Sequence, residues 1–305
     1  MDVLSDILKK IKLSSAVYFK SDFSAPWGMD IPKGAFAQFH IVTKGQCLLK
    51  TKGQSIQLFT GDIVMFPLGA SHWLADNEDS KRHNGQEVVQ SILRGESLFE
   101  GDKISTTLVC GHFEFDKNMG HPFVKALPAI IHITDAEKKE FLWLESIANL
   151  VIQEAGNEQS GSHIIVNKLG EILFIYTLRA YIQNNTSKKG FLAAIQDDRI
   201  SSVLKVIHAS PEKDWPLESL AQLAGMSRTS FANRFKILIG DTPFNYLTQW
   251  RLLQAKELLI ESGKPVGEIA EEVGYQSEAA FNRVFKRRVN QTPLKFRQKF
   301  LSEIV

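Results

Sequence analysis

The chain has 305 residues, 36 Lys+Arg against 34 Asp+Glu and a formal charge of +2. At about 100–200 residues per domain this is two domains, at most three, and 44% apolar with 23% charged residues is the composition of a folded chain, not of a disordered or collagen-like one. Two cysteines cannot make a disulfide framework, Met1–Lys12 lacks the apolar stretch and cleavage site of a signal peptide, and no run approaches the about 18 apolar residues of a membrane span, so a cytoplasmic protein without a membrane partner is expected. Near-neutrality also argues, at first sight, against a nucleic-acid binder.

The first 120 or so residues are β-rich. Phe36–Val42, Cys47–Thr51, Ser55–Phe59, Ile63–Phe66 and Leu108–Phe115 are short apolar runs, and Gly45, Gly53 and Gly61-Asp62 are turn signals between the first four. Their spacing predicts a small antiparallel barrel or sandwich. Asn77–Gly85 is polar and is expected to be an exposed loop. Asp135–Glu154 then carries Phe141, Leu144, Ile147, Ala148 and Val151 at spacings of three and four, and Ser162–Gln183 repeats the pattern, which predicts two amphipathic helices. The polar stretch Asn184–Gly190 is the best linker candidate. These observations predict an α+β chain with a β-barrel domain and two helices over 1–183, a linker over 184–196 and an all-α domain over 197–305.

The C-terminal third contains an internal repeat with a period of about fifty residues. Pro216, Ala221, Gly225, Ser227, Phe231, Phe235-Lys236 and Thr242-Pro243 correspond to Pro265, Ala270, Gly274, Ser277, Phe281, Phe285-Lys286 and Thr292-Pro293, with one extra residue in the second turn. Each copy has the pattern of a helix-turn-helix. The proline opens a helix, the small alanine allows a close crossing, and the glycine ends the helix in a left-handed residue. The serine then caps the next helix, whose two phenylalanines four residues apart bury one face. The other faces carry Arg228, Asn233, Arg234 and Lys236, then Asn282, Arg283, Lys286, Arg287 and Arg288, amide and guanidinium groups suited to a major groove. Between the copies, Pro243–Ser262 reads as a helix of about 30 Å, close to one turn of DNA.

With these residues in view, Asp197–Val305 resembles the DNA-binding domain of the AraC/XylS family of transcription regulators. Ile269-Ala270, Val273-Gly274-Tyr275, Ser277, Phe281, Arg283, Phe285-Lys286, Thr292-Pro293 and Phe296-Arg297 carry the likeness. The resemblance implies base reading by Thr229, Ala232 and Asn233 in one groove and by Glu278, Ala279, Asn282 and Arg283 in the next. Arg228, Arg234, Lys236, Lys286, Arg287 and Arg288 are the expected phosphate contacts. Glu278 has a second reading, as a carboxylate favoured by the helix dipole.

In the first domain, Gly61-Asp62-Ile-Val-Met-Phe-Pro67-Leu-Gly69-Ala-Ser-His72 resembles the second motif of cupin barrels, ending on Asp76 where cupins often have Asn. Leu108–Asp116 with His121-Pro122 and Leu127-Pro128 resembles the cupin-like sensor domains found ahead of AraC-type DNA-binding domains. Metal-binding cupins carry a His-x-His and a spaced glutamate before the later histidine. Here His40 stands alone ahead of His72, so no metal, no cofactor and no catalytic residue is expected. Cys110, His112 and Glu114 alternate along one strand and so share a face. The candidates for an effector pocket are His40, Cys47, His72, Cys110 and His112, and the two thiols read either as redox-sensitive groups or as small buried hydrophobes.

The resemblance therefore implies a sequence-specific DNA-binding regulator, an activator rather than an enzyme. Its implied partners are promoter DNA, RNA polymerase, a small-molecule effector or stress signal, and a second copy of the chain held through the helices after the barrel. The alternative is a metal-dependent cupin enzyme fused to a DNA-binding domain. The charge no longer stands against DNA: Asp197–Val305 holds 16 Lys+Arg against 13 Asp+Glu, and Phe281–Phe300 holds seven basic residues and no acidic one.

Overall fold

The computed structural model describes all residues except 1, 35, 116–120, 158, 185–188 and 304–305. They form two compact units, Leu13–Phe115 with Leu127–Thr186, and Met1–Lys12 with Asp116–Ala126 and Ser187–Val305. The boundaries differ from a simple cut along the sequence. The opening helix α1 (Val3–Lys10) and the short helix α3 (Pro122–Ala126) belong to the C-terminal unit. Of the stretch 184–196 expected as linker, 185–188 lie outside the described residues, and Phe191–Gln196 is a helix, α7, that buries Phe191, Leu192 and Ala194.

Among the described residues the first unit is built on one nine-stranded sheet. The strands are β1 (Ser14–Ser24), β2 (Gly28–Ile31), β3 (Ala37–Thr51), β4 (Ser55–Phe59), β5 (Ile63–Phe66), β6 (His72–Ala75), β7 (His83–Asn84), β8 (Ile104–Glu114) and β9 (Ile131–Ile133). Their order is β1-β8-β3-β6-β2-β7, with β4 and β5 also on β3 and β9 on β5. The sheet curls because β3 is shared. Its first half pairs with β5 and β8, its second half with β4 and β6, and the register shifts between Val42 and Lys44. Gly45, read from sequence as a turn, lies inside this single bent strand. Trp27, Phe23, Leu49, Leu58, Phe66 and Leu74 fill the curl.

The Gly61-Asp62 turn has a structural task. Burial alone would raise the Asp62 carboxyl pKa, but His132 and the backbone N–H groups of Phe59 and Asp135 bond to it and hold it below the usual carboxylate range. Asp62 thereby joins β5 to the chain entering the helical layer. That layer differs in one respect from the sequence expectation. Asp135–Glu154 is two helices, α4 (Asp135–Glu140) and α5 (Leu142–Glu154), because Phe141 leaves helical geometry at φ −116° and ψ 82°. A capping box of Thr134 and Glu137 starts α4. The next helix, α6 (Ser162–Asn184), packs on β1, where Asn167 Oδ1 accepts from Val17 N at 3.1 Å. Helix α2 (Gly85–Leu93) begins where the expected Asn77–Gly85 loop ends, and His83–Asn84 within that loop pairs as β7.

The second unit is helical: α1, α3 and α7 with α8 (Asp198–Ala209), α9 (Leu217–Leu223), α10 (Arg228–Ile239), α11 (Pro243–Glu261), α12 (Val266–Glu272), α13 (Glu278–Val289) and α14 (Pro293–Glu303). Val3, Leu4, Ile7 and Ile11 are buried, and Lys10 and Lys12 pair with Glu257 and Glu261 of α11. A buried polar chain lies between α1, α8 and α11. His121 Nδ1 accepts from Phe123 N–H, so its Nε2 carries the proton and donates to the Tyr246 hydroxyl at 3.3 Å. That hydroxyl donates to His208 Nε2 at 2.7 Å, which leaves His208 Nδ1–H facing the Asp6 carboxylate at 3.5 Å, a charge contact rather than a hydrogen bond. Trp250 stacks on His208 with centroids 3.6 Å apart.

Two predictions follow from this packing. Ile7→Ala removes a fully buried side chain and is expected to cost about 2–4 kcal/mol; hydrogen exchange on the full chain will show the loss at the amides of α8 and α11, whereas protection there unchanged from wild type would separate α1 from this unit. Burial holds His121 and His208 neutral with pKa values of about 3, below the ordinary 6.5. Unfolding takes up protons on both, so their contribution is present above pH 6.5 and is lost as pH falls toward 3. His208→Gln is expected to flatten the decline in stability between pH 6.5 and 4, measured by urea unfolding across that range.

Candidate nucleic-acid interface

Two helix-turn-helix units are present. Helices α9 and α10 make the first, α12 and α13 the second, and α11, with 19 residues or about 28 Å, connects them. Local chemistry sets each turn. Gly225 and Gly274 have φ of +61° and +87°, the left-handed conformation in which an L side chain is strained. Ser227 and Ser277 then cap α10 and α13, accepting from Ser230 N at 3.3 Å and Ala280 N at 3.2 Å. Thr242 and Thr292 accept in the same way ahead of Pro243 and Pro293. The inner faces are held by Phe231 against Phe235, centroids 5.7 Å apart, and by Phe281 against Phe285 at 5.4 Å, all four fully buried.

The burial of one face turns the other outward. Thr229 and Asn233 on α10, and Glu278, Ala279 and Arg283 on α13, are exposed, while Ala232 and Asn282 are half-buried. Asn282 Nδ2 donates to Glu278 Oε1 at 3.4 Å. The Glu278 carboxylate lies against the first turn of α12, where a Cβ on Gly267 would approach it to 3.0 Å.

The six cations expected at phosphates divide. Lys236, Lys286 and Arg287 are exposed, and Arg228 stands 3.7 Å from Glu218 on the solvent side. Arg234 is also exposed but is paired: Nε donates to Asp197 Oδ2 at 2.8 Å and Nη2 bonds to the same oxygen. Asp197 also caps α8, so Arg234 ties α10 to α8. Arg288 Nη2 donates to Asn245 Oδ1 on α11 at 3.0 Å.

Arg251, on α11, is half-buried and carries no sign in the sequence that sets it apart from the surface cations. Nε donates to Pro211 O at 2.6 Å, Nη1 to Gly274 O at 3.0 Å, and Nη2 to Lys213 O at 2.9 Å and Glu212 O at 3.4 Å. One guanidinium thus fastens the loop between α8 and α9 to the turn of the second helix-turn-helix. Gly274 fits the same contact, because a Cβ there would stand 2.5 Å from Glu212 O and 2.9 Å from Arg251 Cζ. Burial lowers the Arg251 pKa from its ordinary value, and a guanidinium stays charged regardless.

In the first unit the structure brings three of the five candidate pocket residues together. Cys110 Sγ lies 3.0 Å from His40 Nδ1, and His40 Nε2 lies 2.9 Å from His72 Nε2. Cys47 is buried in the same apolar core. His112 is apart from them, although it shares a strand face with Cys110. The register shift in β1 after Val17 sets Tyr18 beside it at 4.9 Å, Phe36 lies at 5.0 Å, and its Nε2 bonds to Glu114 Oε1 at 2.9 Å. Among the described residues no group of three or more His, Cys, Asp or Glu side chains is placed to hold a metal ion. His40 spends one ring nitrogen on each neighbour, so the three groups form a line and do not converge on a point.

A tandem helix-turn-helix with two outward polar faces, in one chain with a curled sheet around a buried core, defines a DNA-binding regulator that also carries a barrel domain. Comparison with known proteins gives the family. Residues 2–183 match the Cupin family, and 220–299 match the Helix-turn-helix domain family. The HTH-type transcriptional regulator AlkR of Acinetobacter baylyi is 32% identical over 98% of this chain and 100% of its own. An uncharacterized HTH-type transcriptional regulator of Haemophilus influenzae is 31% identical over 98% and 99%. Among solved structures, the DNA-binding domain of AdpA, crystallised with a target DNA, is 30% identical and covers 33% of this chain and 95% of that one, with a TM-score of 0.32. The chain belongs to the AraC-like transcription regulators that carry an N-terminal cupin-type domain.

Removing the clasp tests its energetic role. Hydrogen bonds from a charged donor contribute about 1.5–3 kcal/mol each, and Arg251→Ala leaves several carbonyls without one. It is expected to cost about 2–4 kcal/mol in urea unfolding of the full chain, with Arg251→Lys recovering only part because an ammonium cannot span all four acceptors. Alanine and wild type unfolding at the same urea concentration would contradict this.

Proposed function

We propose that α10 and α13 read promoter bases through Thr229, Ala232 and Asn233 and through Glu278, Ala279, Asn282 and Arg283. Lys236, Lys286, Arg287 and Arg228 take the phosphates, and Arg234 and Arg288 position the helices from behind. The observation that carries this reading is the pair of serine-capped helices, each buried through two phenylalanines and polar on its outward face. Protein-bound DNA upstream of a gene in turn serves activation through contact with RNA polymerase, in a cytoplasmic protein that regulates rather than catalyses. No helix of the described residues is long and apolar enough to cross a membrane, which agrees with that location.

The barrel unit acts as the sensor, of a small molecule or of a stress signal, with the interior around His40, His72, Cys110 and Cys47 as the responsive region. A second copy of the chain pairs through α5 and α6. Leu142, Leu150, Ile164 and Ile165 there are 72, 46, 71 and 49% exposed, apolar area that a homodimer covers. Signal binding shifts the population between two arrangements of the protein only in so far as it prefers one of them.

Base reading is tested at Arg283. Arg283→Ala is expected to weaken operator binding by about 1–3 kcal/mol and to leave binding to scrambled DNA nearly unchanged. Equal weakening on both DNAs would make Arg283 a phosphate contact.

A further inference from the structure

Two buried polar atoms of the sheet unit, Gln38 Oε1 and His112 Nδ1, have no hydrogen-bond partner among the described residues. They belong to neighbours. The antiparallel register of β3 and β8 sets Gln38 directly opposite His112, with side chains on one face and Cβ atoms about 4.5–5.5 Å apart. Glu114 fixes the chemistry of the ring. Its carboxylate can only accept, so His112 Nε2 carries the proton in the 2.9 Å bond to Glu114 Oε1, and Nδ1 of the neutral imidazole is a bare acceptor. The Gln38 amide oxygen is an acceptor too. Two acceptors cannot satisfy each other, and burial without a donor is unfavourable for both.

The surroundings are aromatic and negative. The ring centroids of Tyr18 and Phe36 lie 4.9 and 5.0 Å from that of His112. Tyr18 reaches it because the register of β1 shifts between Val17 and Phe19. Gly69 seats the backbone at Phe36: its φ is +61°, and a Cβ there would stand 2.6 Å from Phe36 O. Burial, with the Glu114 carboxylate adding to it, pushes the Tyr18 phenol above its ordinary pKa, so the phenol stays neutral and Glu114 supplies the negative charge. His112 is 9% exposed, whereas Phe36 is 38% and the Glu114 side chain 48% exposed. The cluster thus runs from two buried acceptors to an open rim.

We infer that Tyr18, Phe36, Gln38, His112 and Glu114 form a binding site for a small primary ammonium ion, R–NH3+. Its three N–H donors match three acceptors: the Gln38 oxygen, the bare His112 nitrogen, and the Glu114 carboxylate, which has acceptor capacity beyond its bond to His112. The carboxylate supplies the counter-charge at the rim. The faces of Tyr18 and Phe36 attract the cation and cover the first methylenes of R.

The same groups select against other ligands. An anion meets acceptors, π faces and a carboxylate, all of the wrong sign. A neutral alcohol brings one donor where three acceptors wait. A quaternary ammonium brings the charge and no donor, so it leaves Gln38 Oε1 and His112 Nδ1 unpaired and still buried. The cross-strand pair of acceptors therefore asks for hydrogen-bond donors, and the rim asks for positive charge; a primary ammonium ion answers both.

As a signal, this ligand rests on the sensor reading of the barrel unit, and the experiment keeps site and signal apart. The full-length protein is titrated by calorimetry with n-butylammonium, with n-butanol and with tetramethylammonium, and operator binding is measured with and without the first. Butylammonium is expected to bind tighter than either other probe by about tenfold or more. Gln38→Leu, which removes the acceptor at similar volume, is expected to weaken butylammonium by a similar factor. Its urea midpoint without ligand should stay equal to wild type or rise, because an unpaired buried acceptor is gone; a glutamine with a purely structural role would lower that midpoint. Glu114→Gln, whose side-chain oxygen still accepts from His112, is expected to weaken the ammonium and not the alcohol. Equal affinity for butylammonium and tetramethylammonium overturns the assignment, as does a Gln38→Leu chain that is destabilised but binds as wild type. Absence of binding heat with all three probes overturns it too, and leaves water alone on the two acceptors. Butylammonium binding with unchanged operator affinity upholds the site and removes its role as the signal.

Discussion

The guanidinium of Arg251 holds the DNA-binding unit in one arrangement. Each helix-turn-helix builds itself from local chemistry, a left-handed glycine, a serine cap and a phenylalanine pair, but nothing local sets one reading helix against the other. Arg251 does so by satisfying carbonyls from the α8–α9 loop and from the second turn at once. The bare backbone of Gly274 permits that approach, and α11 supplies the distance. Arg234 on Asp197 and Arg297 on the carbonyls of Leu259 and Lys264 repeat the device within each half. Near-neutral net charge fits this arrangement. A chain with only a modest electrostatic hold on DNA depends on both helices engaging together.

The parts legible in the sequence were those whose cause is local. Gly225, Gly274, Ser227, Ser277 and the four phenylalanines each do what their type and spacing imply. Arg251 was not legible because its acceptors are backbone carbonyls up to 40 residues away, and carbonyls leave no mark in a sequence. Arg234 pairs with Asp197 across 37 residues, a partnership that spacing does not reveal. The strand runs on either side of Gly45 were recognisable, but their fusion into β3 was not, since a bend and a turn use the same residue. Phe141 broke one expected helix into two, although its apolar spacing suited a single one.

The same distinction holds for the two buried histidine systems. His40 and His72 meet because the pairing of β3 with β8 and β6 brings distant positions together, a consequence of register that spacing alone does not reveal. His112 shares a strand face with Cys110, yet the displaced Tyr18 draws it to a different neighbourhood. His121 and His208 belong to the other unit, where with Tyr246 and Asp6 they anchor α1, which by sequence position reads as part of the barrel. The N-terminal helix that leads into β1 is thus also a packing element of the helical unit.

A footprint of the full-length protein on its operator measures directly whether the two reading helices are held in one setting. Wild type should protect two adjacent major-groove segments on one side of the duplex, about one helical turn apart. Arg251→Ala should keep one segment and lose or weaken the other at protein concentrations where wild type protects both. Coordinated protection of both segments by the alanine variant, at wild-type affinity, would contradict the account.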